Sequence, residues 1–329
     1  MILFKPRKAK RCVLLIALFA AVVALMESKS STGLLVARRA EVQEEEEATS
    51  SSEESQVIDE KPVMHTFYEP NGGCCGMTLE GHVKLVKAWE ESWQARGWDT
   101  KVLTKEDAMK YPEFESMDQK LSDLLVNQYN RRCFWRWFAM VMIENENGTG
   151  GGWMSDYDTF PLGLTPEEGL EIAKQPGFKS YGLHVPNIIH APSEAWDSVL
   201  HAMFKILPEK GGPGNPLVTD MLILLQAEGQ FNDESIGITV WKRESGNFMY
   251  KLPQNETDPL ELNCEAAKMV KVAHLSHHDC QAAYEKYHVY PRLDGLTSSN
   301  YLDRRGEAGL ALMKDYREQC LEMDESATS

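Results

Sequence analysis

Residues 63–103 restrict the fold of this chain more than any other stretch. Val63 to Tyr68 is rich in β-favouring residues and ends at Glu69-Pro70, so it reads as a first strand. A loop, Gly72-Gly73-Cys74-Cys75-Gly76, follows it. Leu85, Val86, Trp89 and Trp93 then recur at helical spacing from about Leu79 to Arg96, and Gly97 stops that helix. Thr100 to Leu103 reads as a second strand. A strand, a crossover helix and a second strand in close succession open a parallel sheet, so the predicted class is α/β, doubly wound and Rossmann-like. The Gly-rich loop lacks the G-x-G-x-x-G spacing of a dinucleotide site and assigns no ligand by itself.

The next helix is predicted from about Gln119 to Ile143. Its second half carries Phe134, Trp135, Trp137, Phe138, Met140 and Val141, all read as core. Arg136 stands among them. A guanidinium in apolar surroundings needs an anionic partner, which is either a structural carboxylate or a ligand.

Gly150-Gly151-Gly152-Trp153-Met154-Ser155-Asp156-Tyr157-Asp158 carries the chemistry. The glycines allow close backbone approach. At a strand end, Asp156 and Asp158 would point to one face, where two carboxylates repel unless a cation holds both ionised. Oxygen ligands of this kind suit Mg²⁺ or Mn²⁺, completed by water and phosphate oxygens. A solvated turn is the alternative for so short a motif.

Arg136-Trp137-x-x-Met140, an insertion at Glu144 to Thr149, and Gly-Gly-Trp-Met-Ser-Asp-Tyr-Asp together resemble the Arg-aromatic block and Gly-Gly-x-Tyr-x-Asp-x-Asp block of the DXD-type sugar transferases. Among these the chain is most similar to the family of the yeast initiating α-mannosyltransferases, the globoside α-galactosyltransferases and the glucosylating clostridial toxins. The likeness includes the opening strand and Trp-rich helix, Lys101-Val102-Leu103, Gly212-Pro213 with Thr219-Asp220, and the histidines from His274 to His278, or about residues 63–280. The resemblance implies a GT-A fold, a nucleotide-sugar donor and retention of anomeric configuration. By the same likeness Asp158 would ligate the metal, Asp156 would touch the donor ribose and the metal shell, and Arg136, Gly151 and Gly152 would contact the donor. The acceptor would be a glycan, glycolipid or protein. One departure concerns the donor: the family has Ser-Asp just before its arginine, and this chain has Arg132-Cys133, which removes an expected sugar-hydroxyl contact.

His274-x-x-His277-His278-Asp279 is a metal-ligand candidate in its own right, with His277 preferred over His274. Asp220 reads either as an acceptor-side carboxylate or as a helix cap, since Thr219-Asp220 opens the apolar run Met221 to Leu225. Two rival readings follow. A metal-dependent hydrolase would use His274, His277, His278 and Asp279. A tethered lectin would use the carboxylates to hold a structural cation.

The N-terminus addresses location. Basic residues 1–11 precede an apolar run at 12–26, and an acidic Ser/Glu-rich stretch at 27–61 follows it. Fifteen apolar residues are short against the ~20 that span a bilayer, yet the flanking charges orient the segment as an N-terminal signal anchor. Cleavage as a signal peptide is the alternative. Residues 27–61 lack the apolar side chains to build a core and read as a stem, which leaves 62–329 as one lumenal domain of a type II protein in the Golgi or ER membrane. Asn147-Gly148-Thr149 and Asn255-Glu256-Thr257 are glycosylation sequons. Of the seven cysteines, six follow the apolar run, an even number that permits disulfides without giving their pairing. The net charge of −16 excludes binding to nucleic acid through bulk charge.

Overall fold

The strand–helix–strand opening forms as its sequence predicts. β1 (Val63–Phe67) and β2 (Asp99–Leu103) run parallel, from Val63 opposite Asp99 to Phe67 opposite Leu103. Between them, α1 (Leu79–Ala95) starts at Thr78, whose hydroxyl accepts a hydrogen bond from the Gly81 amide. It ends before Gly97, which takes φ +88°, a conformation that a Cβ would strain. These features come from a computed structural model, which describes residues 61–70, 76–124, 126–143, 151–182, 185–210, 218–227, 240–241, 250–251, 253, 255 and 258–322. All of them belong to one compact unit, Ile58–Ser329. The predicted anchor at 12–26, nearly all of the stem, Cys74 and Cys75, the 144–149 insertion with its sequon, and Gly212-Pro213 lie outside the described residues. Among the described residues no helix is long and apolar enough to cross a membrane.

After the short α2 (Lys105–Ala108), one expectation fails. The single helix predicted from Gln119 to Ile143 is two, α3 (Phe114–Asp123) and α4 (Gln128–Val141). The reason is local. Asn127 sits in extended backbone and its side chain accepts from the Asn130 amide at 2.8 Å, so it caps a new helix rather than continuing the old one. The apolar period continues across the break because both helices face the same core.

The main sheet adds β3 (Gly151–Ser155), then, after β4 (Thr159–Pro161) and α5 (Pro166–Ala173), β5 (Lys179–Ser180) and β6 (Ile188–Pro192). Its order is β2-β1-β3-β6-β5. β3 is parallel to β1, and β6 is antiparallel to β3 and to β5. The sheet is covered on both faces, as a sheet with crossover helices must be. On one face Met154, Ile189 and Ala191 pack with Phe134, Trp137 and Phe138 of α4 and with α6 (Ser193–Lys210). On the other, Met64, Trp153 and Ile188 meet Trp89, Trp93 and Trp98. Adjacent Trp153 and Met154 face opposite layers, the period-two alternation of a strand.

α7 (Asp220–Ala227) packs on α4 and α6. A second sheet has the order β4-β8-β7, with β7 (Val240–Trp241) and, after α8 (Cys264–Lys268), β8 (Val272–His274). α9 (His277–Glu285) and α10 (Arg305–Tyr316) complete the unit, and α10 packs against α1 and β4. Cys264 is joined to Cys320, Cys280 is a buried thiol, and Cys133 lies on α4.

Candidate functional site

β3 ends at Ser155, and the chain turns at once into the second sheet. The Thr159 amide donates to the Asp156 carbonyl at 3.0 Å, closing a turn over Asp156-Tyr157-Asp158-Thr159. The two carboxylates are thus brought together by a tight turn past the end of β3 and not by the two-residue period of a strand, which corrects the local conformation expected from the sequence while keeping the two side by side. The turn is not a solvated one: the Asp158 side chain is 15% exposed and Asp156 26%.

The backbone ladder brings the third member. β4 and β8 pair with Thr159 opposite His274, and the Leu275 amide donates to the Asp158 carbonyl at 2.7 Å. One ligand atom each from Asp156, Asp158 and His274 lies within 4.8 Å of the others. His274, not His277, completes this group. His274 ends a strand hydrogen-bonded to the acidic turn, whereas His277 begins α9 and packs its ring 3.8 Å from that of His278. Asp279 is engaged with Ser276, the cap of α9, its carboxylate accepting from the Ser276 hydroxyl at 2.8 Å and its amide donating back to it.

Each carboxylate has its own arginine. Arg136 Nη1 donates to Asp156 Oδ1 at 2.5 Å, while Arg136 Nε and Nη2 both reach Asp220 Oδ2. Asp220 is buried; its Oδ2 also accepts from Trp137 Nε1 at 3.1 Å and its Oδ1 from the Met221 amide at 2.9 Å. The anionic partner required by Arg136 is thus a pair of carboxylates. Asp220 supports Arg136, and with its oxygens engaged it does not serve as a free acceptor-side base. The cap at that helix start is Thr219, whose hydroxyl accepts from the Leu222 amide.

Asp158 is held by Arg305, whose Nη1 donates to Asp158 Oδ2 at 2.9 Å and to the Leu275 carbonyl at 2.8 Å. Burial pushes the Asp158 carboxyl up, but His274 at 3.2 Å and Arg305 outweigh it and hold the pKa at about 2. Burial also lowers His274, and Asp158 more than restores it, so the imidazole titrates above its ordinary value. Asp156 sits above the usual carboxylate range because burial outweighs Arg136.

Arg136, Asp156, Asp158 and Asp220 line an open cleft of ≈ 930 Å³, counting adjoining solvent. Its walls include Phe67 at the end of β1 with Glu69 beyond it, and Ser155 at the end of β3 with Asp156 to Asp158 beyond it. In the order β2-β1-β3 the connection from β1 runs to β2 on one side and the chain then crosses to β3 on the other, so the cleft beyond β1 and β3 lies at the switch point where open α/β sheets take ligands.

Not every predicted donor contact reaches this cleft. Gly151 and Gly152 begin β3 while Asp156 follows its end, roughly 13–17 Å away at strand rise. Gly152 takes φ +112°, and its carbonyl accepts from Trp196 Nε1, so its freedom serves the strand rather than a ligand. Arg305 was invisible to sequence reasoning, since Arg304-Arg305-Gly306 reads as an ordinary basic helix start.

Comparison with known proteins adds one match. A family described as a domain of unknown function, DUF8765, matches residues 51–180. That stretch includes β1, α4 and the acidic turn and stops short of His274 and Arg305. No curated protein matches the chain.

Proposed function

We propose that the chain is a metal-dependent glycosyltransferase of GT-A type, moving a sugar from a nucleotide-sugar donor to a glycan, glycolipid or protein. The observation that carries this reading is the convergence of Asp156, Asp158 and His274 within 4.8 Å, beside Arg136, at the switch-point cleft. The hydrolase alternative has less support, because only His274 of its four residues joins a group able to hold a metal among the described residues.

The donor set fits a divalent ion. Asp156, Asp158 and Asp220 carry three negative charges against two on Arg136 and Arg305, so one remains with His274 neutral. Two carboxylate oxygens and one imidazole nitrogen favour Mn²⁺ over Mg²⁺, which prefers oxygen alone. When bound, the cation would neutralise the departing diphosphate as a Lewis acid. The chain's own residues orient the ligands: Arg136 fixes Asp156, Arg305 fixes Asp158, and the β4–β8 ladder fixes His274. Lumenal placement behind a signal anchor at 12–26 belongs to the same proposal. It is supported by the Cys264–Cys320 disulfide, which suits an oxidising compartment, and by the exposure of Asn255.

The test is Asp158→Asn, which keeps the shape and removes one charge. Calorimetry with UDP and GDP, with and without Mn²⁺, should show metal-dependent binding by wild type and its loss in the variant. Equal binding by both proteins, or binding indifferent to metal, removes the transferase reading. A hydrolysis screen across nucleotide sugars then identifies the donor.

A further inference from the structure

α4 carries three arginines, and two of them are satisfied inside the protein. Arg131 binds Asp118 through Nε at 3.0 Å and through Nη2. Arg136 is shared between Asp156 and Asp220. Arg132 differs. It lines the cleft, it is only partly exposed, and its Nε is buried with no hydrogen-bond partner. Among the described residues no carboxylate pairs with it.

This is unusual in so acidic a chain, with a net charge of −16. The same cleft wall holds Glu69, Asp156, Asp158 and Asp220, and none of them pairs with Arg132. Position explains why it faces the cleft. Tyr129, Arg132, Cys133 and Arg136 are spaced i, i+3, i+4 and i+7, which is one face of a helix, and all four line the cavity. A guanidinium with a buried, unmet donor costs free energy that an incoming anion recovers, and its planar fork matches phosphate and carboxylate oxygens.

We propose that Arg132 binds an anionic group of the substrate in this cleft, a phosphoryl or a carboxylate group. The inference deepens the transferase reading and rests on it for the choice of probes. Two sources share that chemistry: the diphosphate of the donor, or a carboxylate on the transferred sugar. In either case Arg132 sets specificity, and Asp156, Asp158 and His274 hold the cation separately.

The experiment compares wild type, Arg132→Lys and Arg132→Met by calorimetry in Mn²⁺, using inorganic pyrophosphate, UDP, GDP, UDP-glucose and UDP-glucuronate. Because Arg132 forms no ion pair or hydrogen bond among the described residues, the thermal midpoints should agree, and a matching midpoint certifies folding. The expected result is about tenfold or greater weakening by Arg132→Met, with Arg132→Lys in between, as for loss of a charge-assisted contact. Weakening of pyrophosphate and both diphosphates assigns the diphosphate as the anion. Weakening of UDP-glucuronate alone assigns a sugar carboxylate. Wild type and Arg132→Met binding every probe alike, or wild type binding none, overturns the proposal. The transferase reading fails separately, when Asp158→Asn retains metal-dependent nucleotide binding while the Arg132 effect persists.

Discussion

Arg305 and Asp158 are 147 residues apart in sequence, yet an Arg305 Nη1 donor meets Asp158 Oδ2 at 2.9 Å. The same nitrogen bonds the Leu275 carbonyl, so one guanidinium ties α10 to the acidic turn and to the residue after β8. Its side chain is 4% exposed. Removing one partner from a buried pair strands the other charge, which costs about 3–5 kcal/mol. Arg305→Met is therefore expected to lower the urea midpoint strongly in EDTA. Mn²⁺ should restore part of the loss, since the cation takes over the charge beside Asp158. Arg304→Ala, which loses a surface pair with Glu307 and an exposed bond to the Asp294 carbonyl, should change stability far less. Equal midpoints for wild type and Arg305→Met would make Arg305 a bystander.

Gly309 lies one helical turn after Arg305 and faces Phe160 of β4. A Cβ there would come within 2.4–2.5 Å of three Phe160 ring atoms, and Phe160 is fully buried. Alanine favours helix by up to about 1 kcal/mol, but overpacking costs about 1–3 kcal/mol, so Gly309→Ala should be destabilising on balance. Because Phe160 follows Asp158 by two residues, the shift should also weaken Mn²⁺ binding. Mn²⁺ titration alongside a thermal melt checks both, and a variant at least as stable as wild type refutes the packing account.

The central sheet should be sensitive to acid. His65 Nδ1–H donates to the Trp153 carbonyl at 2.8 Å, and the His190 ring sits 4.8 Å from that of Trp153, on the opposite neighbouring strand. Burial, aided by Lys101 for His65 and by Lys179 for His190, pushes both pKa values down to about 4. The unfolded chain takes up these protons near the ordinary 6.5, so their stabilisation is complete above that pH. It is lost as pH falls toward 4, where the native state protonates as well. Each histidine accounts for up to about 3 kcal/mol across that window. Urea midpoints at pH 7 and 4.5 should differ accordingly, and His190→Gln should reduce the difference. An unchanged difference in the variant would exclude His190 as a source.

The Cys264–Cys320 bond closes a loop of 56 residues and holds α8 against the C-terminal turn. Loop entropy of that length corresponds to roughly 4 kcal/mol. Reduction by dithiothreitol should lower the thermal midpoint of wild type by several degrees and leave a Cys264→Ser/Cys320→Ser variant unaffected. A wild-type midpoint indifferent to reductant would show the bond to be absent in solution.

Topology can be checked directly. N-glycanase treatment of the protein expressed with its first 61 residues should shift its mobility, and sealed microsomes should protect residues 62–329 from protease. No shift, together with digestion in intact vesicles, would place the domain on the other side of the membrane.

Much of this protein was legible in the sequence because the deciding forces are local. The β1–α1–β2 unit follows from short-range periodicity and from Gly97, and the aromatic face of α4 follows from helical spacing. Arg136, isolated among apolar side chains, announced its need for an anionic partner, and Asp156 and Asp158 are close in sequence. Where local forces compete, periodicity misled: Asn127 capped a new helix inside a continuous apolar pattern. The rest depends on long-range pairing that spacing does not encode. Only the β4–β8 register selects His274 over His277, only the docking of α10 on α1 and β4 brings Arg305 to Asp158, and only the filled oxygens of Asp220 show that it supports Arg136. Whether an arginine is paired is likewise a tertiary property. Arg131 and Arg132 are adjacent in sequence, but a helix turns about 100° per residue, and that rotation alone sends one to Asp118 and the other into the cleft.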